Sequence, residues 1–229
     1  MMECMSDELF PDATLKKEQE RCAKAIKGLE KCYPNPKLAL DFSTPLELLI
    51  ALILAGQYRD SEVNKLTPAL FKKYKSAQDW ADASVEEIHG QLRRVTSAGN
   101  KANWIKACSE TLVADFGGKV PDNIDDLLTL KGVGRKTANV LLGNAFGQQT
   151  IGVDRHVMRV SQRLGFTTNE DPNKIETDLR RIVPEKKRTK YCLMLQLHGR
   201  QVCTAPVPKC SACALAPLCP YPGSGQPKK

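Results

Sequence analysis

Apolar residues recur at helical spacing in segment after segment of this chain, and none alternates with period 2 over the length of a strand. That pattern predicts an all-α fold. Cys22, Ile26 and Leu29 mark one face of a helix from about residue 15 to 32, ended by Pro34 and Pro36. Thr44-Pro45 reads as an N-cap and first-turn proline ahead of the apolar run Leu48 to Ala55, which stops at Gly56. Val63, Leu66 and Leu70 mark the next helix, and Ser84 with Glu87 reads as a capping box ahead of Ile88 and Leu92. A helix over 101–116 turns Ile105, Cys108 and Leu112 inward and closes at Gly117-Gly118. Further helices are expected from Pro121-Asp122, over 135–146, over 155–164, from Asp171-Pro172 and over 189–202. Only the tail, 220–229, looks low-complexity and mobile.

Lys and Arg number 34 against 26 Asp and Glu in 229 residues, a net charge of +8. The balance favours a polyanionic partner, nucleic acid first and an anionic membrane surface second. A hydrophobic content of 41% excludes disorder over most of the chain, and Leu48 to Ala55 is far short of the ~20 residues that span a bilayer. The start, Met1 to Glu8, is acidic and lacks an apolar signal core, so a reducing cytoplasm is the expected location. Nine cysteines are too sparse for a disulfide scaffold and odd in number, which turns attention to metal binding.

Cys203, Cys210, Cys213 and Cys219 form C-x6-C-x2-C-x5-C, while Cys4, Cys22, Cys32, Cys108 and Cys192 are scattered and read as small buried apolar residues. A loop this short can bring four thiolates around one centre, and prolines at 206, 208, 217 and 220 keep helix from pulling them apart. A zinc ribbon shows two C-x2-C pairs at a wide gap, whereas this loop has one pair with a singleton on each side. Four-cysteine ligation suits zinc or an iron-sulfur cluster, and ligand type alone does not choose between them.

A second motif is Leu130-Lys131-Gly132-Val133-Gly134-Arg135-Lys136-Thr137-Ala138, two glycines between two helices. Backbone N–H groups there can approach a phosphate with no side chain in the way. Lys136 falls in the first turn of the second helix, where the positive helix end and Arg135 both disfavour an ammonium ion and free an amine nucleophile. Eighteen residues on, Asp154 is the expected N-cap of the helix that starts at Arg155.

Taken together, Gly132 to Ala138, Val153-Asp154-Arg155-His156 and the cysteine loop resemble the endonuclease III family of helix-hairpin-helix DNA glycosylases over about residues 15–220. The resemblance implies a six-helix barrel domain over 38–148 and a discontinuous cluster domain of 1–37 with 149–229. It places DNA in a cleft between them. It implies one 4Fe-4S cluster on the four loop cysteines, and a monomeric, nucleoid-associated enzyme that removes oxidised pyrimidines from duplex DNA and nicks at the abasic site. Lys136 takes the Schiff-base lysine position and Asp154 the catalytic carboxylate position. Gln57, Gly132, Val133, Gly134 and Arg135 take DNA-binding positions.

The chain also departs from the family. Gln57 is present where a glutamine enters the gap left by an extruded base, but Tyr58 and Arg59 replace small residues. Across the gap Thr96-Ser97-Ala98-Gly99 stands where relatives present an aliphatic wedge, so the chain is expected to rely on Gln57, with Tyr58 stacking. Thr204 to Lys209 contains one basic residue where relatives carry several, and Lys131 replaces a common hairpin proline. Two alternatives are weighed: a same-fold glycosylase for mismatched or photodamaged bases, and a non-catalytic iron-sulfur DNA-binding or redox-sensing protein. Lys136 with Asp154 argues for lyase chemistry over both.

Overall fold

The computed structural model describes residues 12–221 and 223; the acidic start with Cys4, and most of the 220–229 tail, lie outside the described residues. Every regular element among the described residues is helical. The chain divides into two compact units, residues 38–148 and residues 1–37 with 149–229.

In the unit of residues 38–148, helix α2 (Pro45–Ala55) is the centre. Thr44 Oγ1 accepts from Glu47 N at 3.2 Å, which satisfies one orphan donor at the helix start, and the Glu47 carboxylate accepts from Ser43 N, the residue before the cap, at 2.6 Å. Leu48 to Leu54 are all at most 5% exposed. A helix apolar all round has no solvent face, and helices α3 (Asp60–Lys73), α6 (Ala98–Phe116) and α8 (Arg135–Ala145) pack around it.

Two short helices, α4 (Ala77–Asp82) and α5 (Val85–Gln91), complete the wall before α6, and α7 (Ile124–Thr129) leads into the hairpin before α8. The unit therefore carries seven α-helices, the stretch after Lys75 being split at Ala83-Ser84. Helix α4 was not legible in the sequence. Its capping box is Ser76 with Asp79, whose carboxylate accepts from Ser76 N at 2.9 Å, and its Trp80 is fully buried and stacked on Tyr74 at 4.1 Å between ring centroids. The box expected at Ser84 is only half formed. Ser84 Oγ accepts from Glu87 N, but the Glu87 carboxylate turns to Lys73 at 2.6 Å and to the Tyr74 hydroxyl at 3.1 Å. The start expected at Pro121-Asp122 shifts to Ile124, because Asn123 is the side chain that accepts from Asp126 N.

In the other unit, helix α1 (Asp12–Cys32) packs its Cys22, Ala25, Ile26 and Leu29 face against helices from the far end of the chain. These are α10 (Pro172–Ile182) and α11 (Arg188–Gln201), with α9 (Arg155–Arg163) packed on α11. Cys22, Cys108 and Cys192 are the small buried residues expected, with burial pushing each thiol up to about 12. Cys32 is the exception: it ends α1 and is exposed.

Because Leu29 is 1% exposed in this second core, Leu29→Ala is expected to cost about 2–5 kcal/mol. Chemical denaturation followed by far-UV circular dichroism checks this, and an unchanged midpoint would show that α1 is not part of the core.

Candidate functional site

The hairpin glycines do different jobs. Gly132 has φ +82, and a Cβ there would meet Trp104 Cβ at 3.0 Å, so conformation and packing both demand glycine. Gly134 has an ordinary φ of −99° and a Cβ on it would meet nothing within 4 Å. The fold does not require glycine at 134. What its missing side chain leaves is bare backbone facing open space at the N-cap of α8, which has no side-chain cap hydrogen bond.

Arg135 and Lys136 follow in the first turn, both exposed, so the Lys136 amine stands at the positive end of α8. Val133 is only 7% exposed: its side chain is a core anchor, and this position offers a ligand its backbone alone.

Asp154 belongs to the other unit, as N-cap of α9. It accepts from His156 N and Val157 N at 2.8 Å each, and both bonds end on Oδ1. Oδ2 is left without a protein hydrogen bond among the described residues, so one oxygen is structural and the other is available.

Gln57 is exposed in the turn after α2, and its φ of +55° puts a non-glycine residue in the left-handed region. Ser97, the N-cap of α6, repeats this at φ +57° and is also exposed. Each such residue costs on the order of 1–3 kcal/mol, held by its surroundings. Tyr58 departs from expectation. Its ring is half-buried against the core of its own unit, with Lys101 Nζ 5.7 Å from its centroid, which removes it as a free stacking platform.

The four loop cysteines follow α11. Cys203, Cys210, Cys213 and Cys219 line one recess of about 370 Å³, its open mouth included, together with Arg163, His198 and Tyr221. Arg163 Nη1 lies 3.4 Å from Cys203 Sγ and donates to Thr204 O at 2.8 Å, while its guanidinium stacks 4.8 Å from the Tyr221 ring centroid. His198 Nε2 is 3.4 Å from Cys213 Sγ, and burial lowers the ring to about 4, so it is neutral at ordinary pH. Burial also pushes the Cys213 and Cys219 thiols up. One turn earlier on α9, Arg159 holds the loop's start through Cys203 O at 3.1 Å. The sequence reading missed Arg159, Arg163 and His198; two arginines four apart on one helix face were the available signal.

Among the described residues no three His, Cys, Asp or Glu side chains converge on a single ion position. The four cysteines that line this one recess are a donor set that suits zinc or an iron-sulfur cluster.

The HhH-GPD superfamily of base excision DNA repair proteins matches residues 50–185 of this chain. The endonuclease III of Synechocystis sp. is 42% identical over 204 residues, 89% of this chain and 93% of that protein. The chain belongs to the HhH-GPD superfamily, in its endonuclease III group. Within the group, the endonuclease III of Escherichia coli K12 is 38% identical over 194 residues, 84% of this chain and 92% of that protein. A solved endonuclease III, trapped as a covalent intermediate with DNA, superposes with a TM-score of 0.84 at 36% identity, covering 88% of this chain and 95% of that one.

The two glycines predict opposite outcomes in this superfamily member. Gly132→Ala should cost about 2 kcal/mol or more from the left-handed backbone and the Trp104 clash. Gly134→Ala should melt within a few degrees of the parent yet bind duplex DNA more weakly by fluorescence anisotropy. Equal melting temperatures for the two variants would contradict the division of roles.

Proposed function

We infer that this chain is a bifunctional DNA glycosylase and abasic-site lyase that excises oxidised pyrimidines from duplex DNA in base excision repair. The observation that carries the reading is the Lys136 amine in the first turn of α8, two residues after a glycine that the fold itself does not need. Backbone donors at Gly134 and the start of α8 bind a phosphate; Arg135 adds charge. The residues of 38–148 form the barrel domain, and those of 1–37 and 149–229 form the cluster domain. Working on DNA, the enzyme acts in the cytoplasm at the nucleoid; no helix among the described residues is long and apolar enough to cross a membrane.

The damaged nucleotide leaves the stack before reaction, and Gln57 fills the gap. The Lys136 Nζ lone pair attacks the anomeric carbon as the bond to the base breaks, the base leaving with that electron pair and gaining a proton. The Asp154 carboxylate stabilises positive charge developing on the sugar, while its Oδ1 keeps α9 capped. Nitrogen then loses one of its two protons and its lone pair forms the C=N bond of an iminium to Lys136 as the ring C–O bond breaks, the ring oxygen keeping that electron pair and taking a proton to become a hydroxyl. Loss of a proton from the neighbouring carbon expels the 3′ phosphate and nicks the strand.

Cys203, Cys210, Cys213 and Cys219, which line the recess, would hold one 4Fe-4S cluster. When bound, the cluster supplies a rigid cross-link for the loop. Arg163 and His198 stand where their N–H groups can offset thiolate charge.

Borohydride trapping on an abasic duplex tests the nucleophile. Lys136→Ala should abolish cross-linking and nicking while keeping most DNA binding, and trapping at the parent rate would refute the assignment. Asp154→Asn keeps an oxygen for the cap, so it should slow base release with little loss of stability, whereas Asp154→Ala should also cost about 1 kcal/mol. Metal analysis should find about four irons per chain, with Cys210→Ser losing stability before activity; a single zinc would contradict this.

A further inference from the structure

Lys101 is 2% exposed, a burial that strips an ammonium of most of its hydration. Among the described residues no carboxylate lies within ion-pair distance. Its Nζ instead donates to Leu54 O and Gly56 O, both at 2.6 Å, and sits over the Tyr58 ring. Three donors thus meet two carbonyls and an aromatic face. Leu54 O is among the last four carbonyls of α2, which lack partners within the helix, and α2 has no basic residue in its last turn. From α6, Lys101 supplies the cation that the negative end of α2 lacks.

The residue after Gly56 is Gln57, exposed and left-handed, a conformation that glutamine keeps only where its surroundings impose it. At its other end Lys101 donates its own backbone N–H to Ser97 O at 3.1 Å, and Ser97 is the second exposed left-handed residue. One residue therefore fastens both: the side chain holds the turn before Gln57, and the amide holds the turn at Ser97.

We propose that Lys101 is a positioning residue for base extrusion, locking the turn that carries Gln57 to the turn that carries Ser97 so that both enter the gap preset. The inference rests on the reading of Gln57 as the gap-filling residue. A preset turn has less conformational freedom to lose on insertion, which matters where the wedge is a serine with little area to bury. Tyr58 then acts as the aromatic cover of the ammonium.

The test uses the full chain with its cluster in single-turnover reactions. Excision of an oxidised pyrimidine from a paired duplex is compared with cleavage of a preformed abasic site, for the parent, Gln57→Ala, Lys101→Met and the double variant. Gln57→Ala examines the underlying reading, and an unchanged rate on the paired lesion sinks that reading and this inference with it. Given a selective loss there, Lys101→Met should slow paired-lesion excision about tenfold with abasic cleavage within about twofold, and the double variant should be no slower than the slower single. Losses that multiply in the double variant, equal losses on both substrates, or no loss overturn the positioning role alone. If Lys101→Met fails to fold, Lys101→Gln, which keeps one donor on a shorter stem, runs the same cycle, and the same outcomes decide.

Discussion

An α-helix leaves four N–H groups unpaired at one end and four C=O groups at the other, and the candidate site residues of this chain gather at such ends. Thr44 and Glu47 close the start of α2, and Lys101 closes its end. Asp154 closes the start of α9 with one oxygen and keeps the other. The start of α8, like those of α3, α6 and α11, has no side-chain cap hydrogen bond, and at Gly134 it presents bare backbone. Anion binding belongs at an unclosed helix start, and a primary amine one residue inside it shares the same positive potential.

Fold and function make separable demands on neighbouring residues. Gly132 answers to Trp104 and to its own left-handed backbone, whereas Gly134 answers to nothing inside the protein. Val133 between them buries its side chain and so fixes the backbone on either side. The same separation recurs at the cysteine loop, where Arg159 and Arg163 of α9 hold carbonyls of the loop while the thiols face the recess. The thiols have contacts of their own as well, Cys203 Sγ with Arg163 Nη1, Cys213 Sγ with His198 Nε2 and Cys219 Sγ with Arg163 O.

Much of this was legible before any coordinates. The run Leu48 to Ala55 reads as a helix started by Thr44-Pro45, which the structure bears out, and the hairpin glycines, Lys136, Asp154 and the cysteine spacing are the positions from which the chemistry is proposed. What escaped is physically instructive. Helix α4 is short and held by Trp80 against Tyr74, a tertiary contact with no periodic signature. Glu87 leaves its expected cap for Lys73 and the Tyr74 hydroxyl, partners from outside its own helix. Lys101 sits on the inward stripe of α6 with Ile105, Cys108 and Leu112, spacing that marks it as buried, yet a lysine at a helix start reads as solvated until the α2 carbonyls that receive it are seen. Tyr58 looked free for the same reason.

The central claim is that the amine at the start of α8 forms the covalent link to the sugar. Peptide mapping by mass spectrometry of the borohydride-reduced adduct, formed on an abasic duplex and digested, tests it most directly. The predicted result is a sugar remnant on the peptide containing Lys136 and on no other. A remnant on another lysine or on the N-terminal amine would contradict the account.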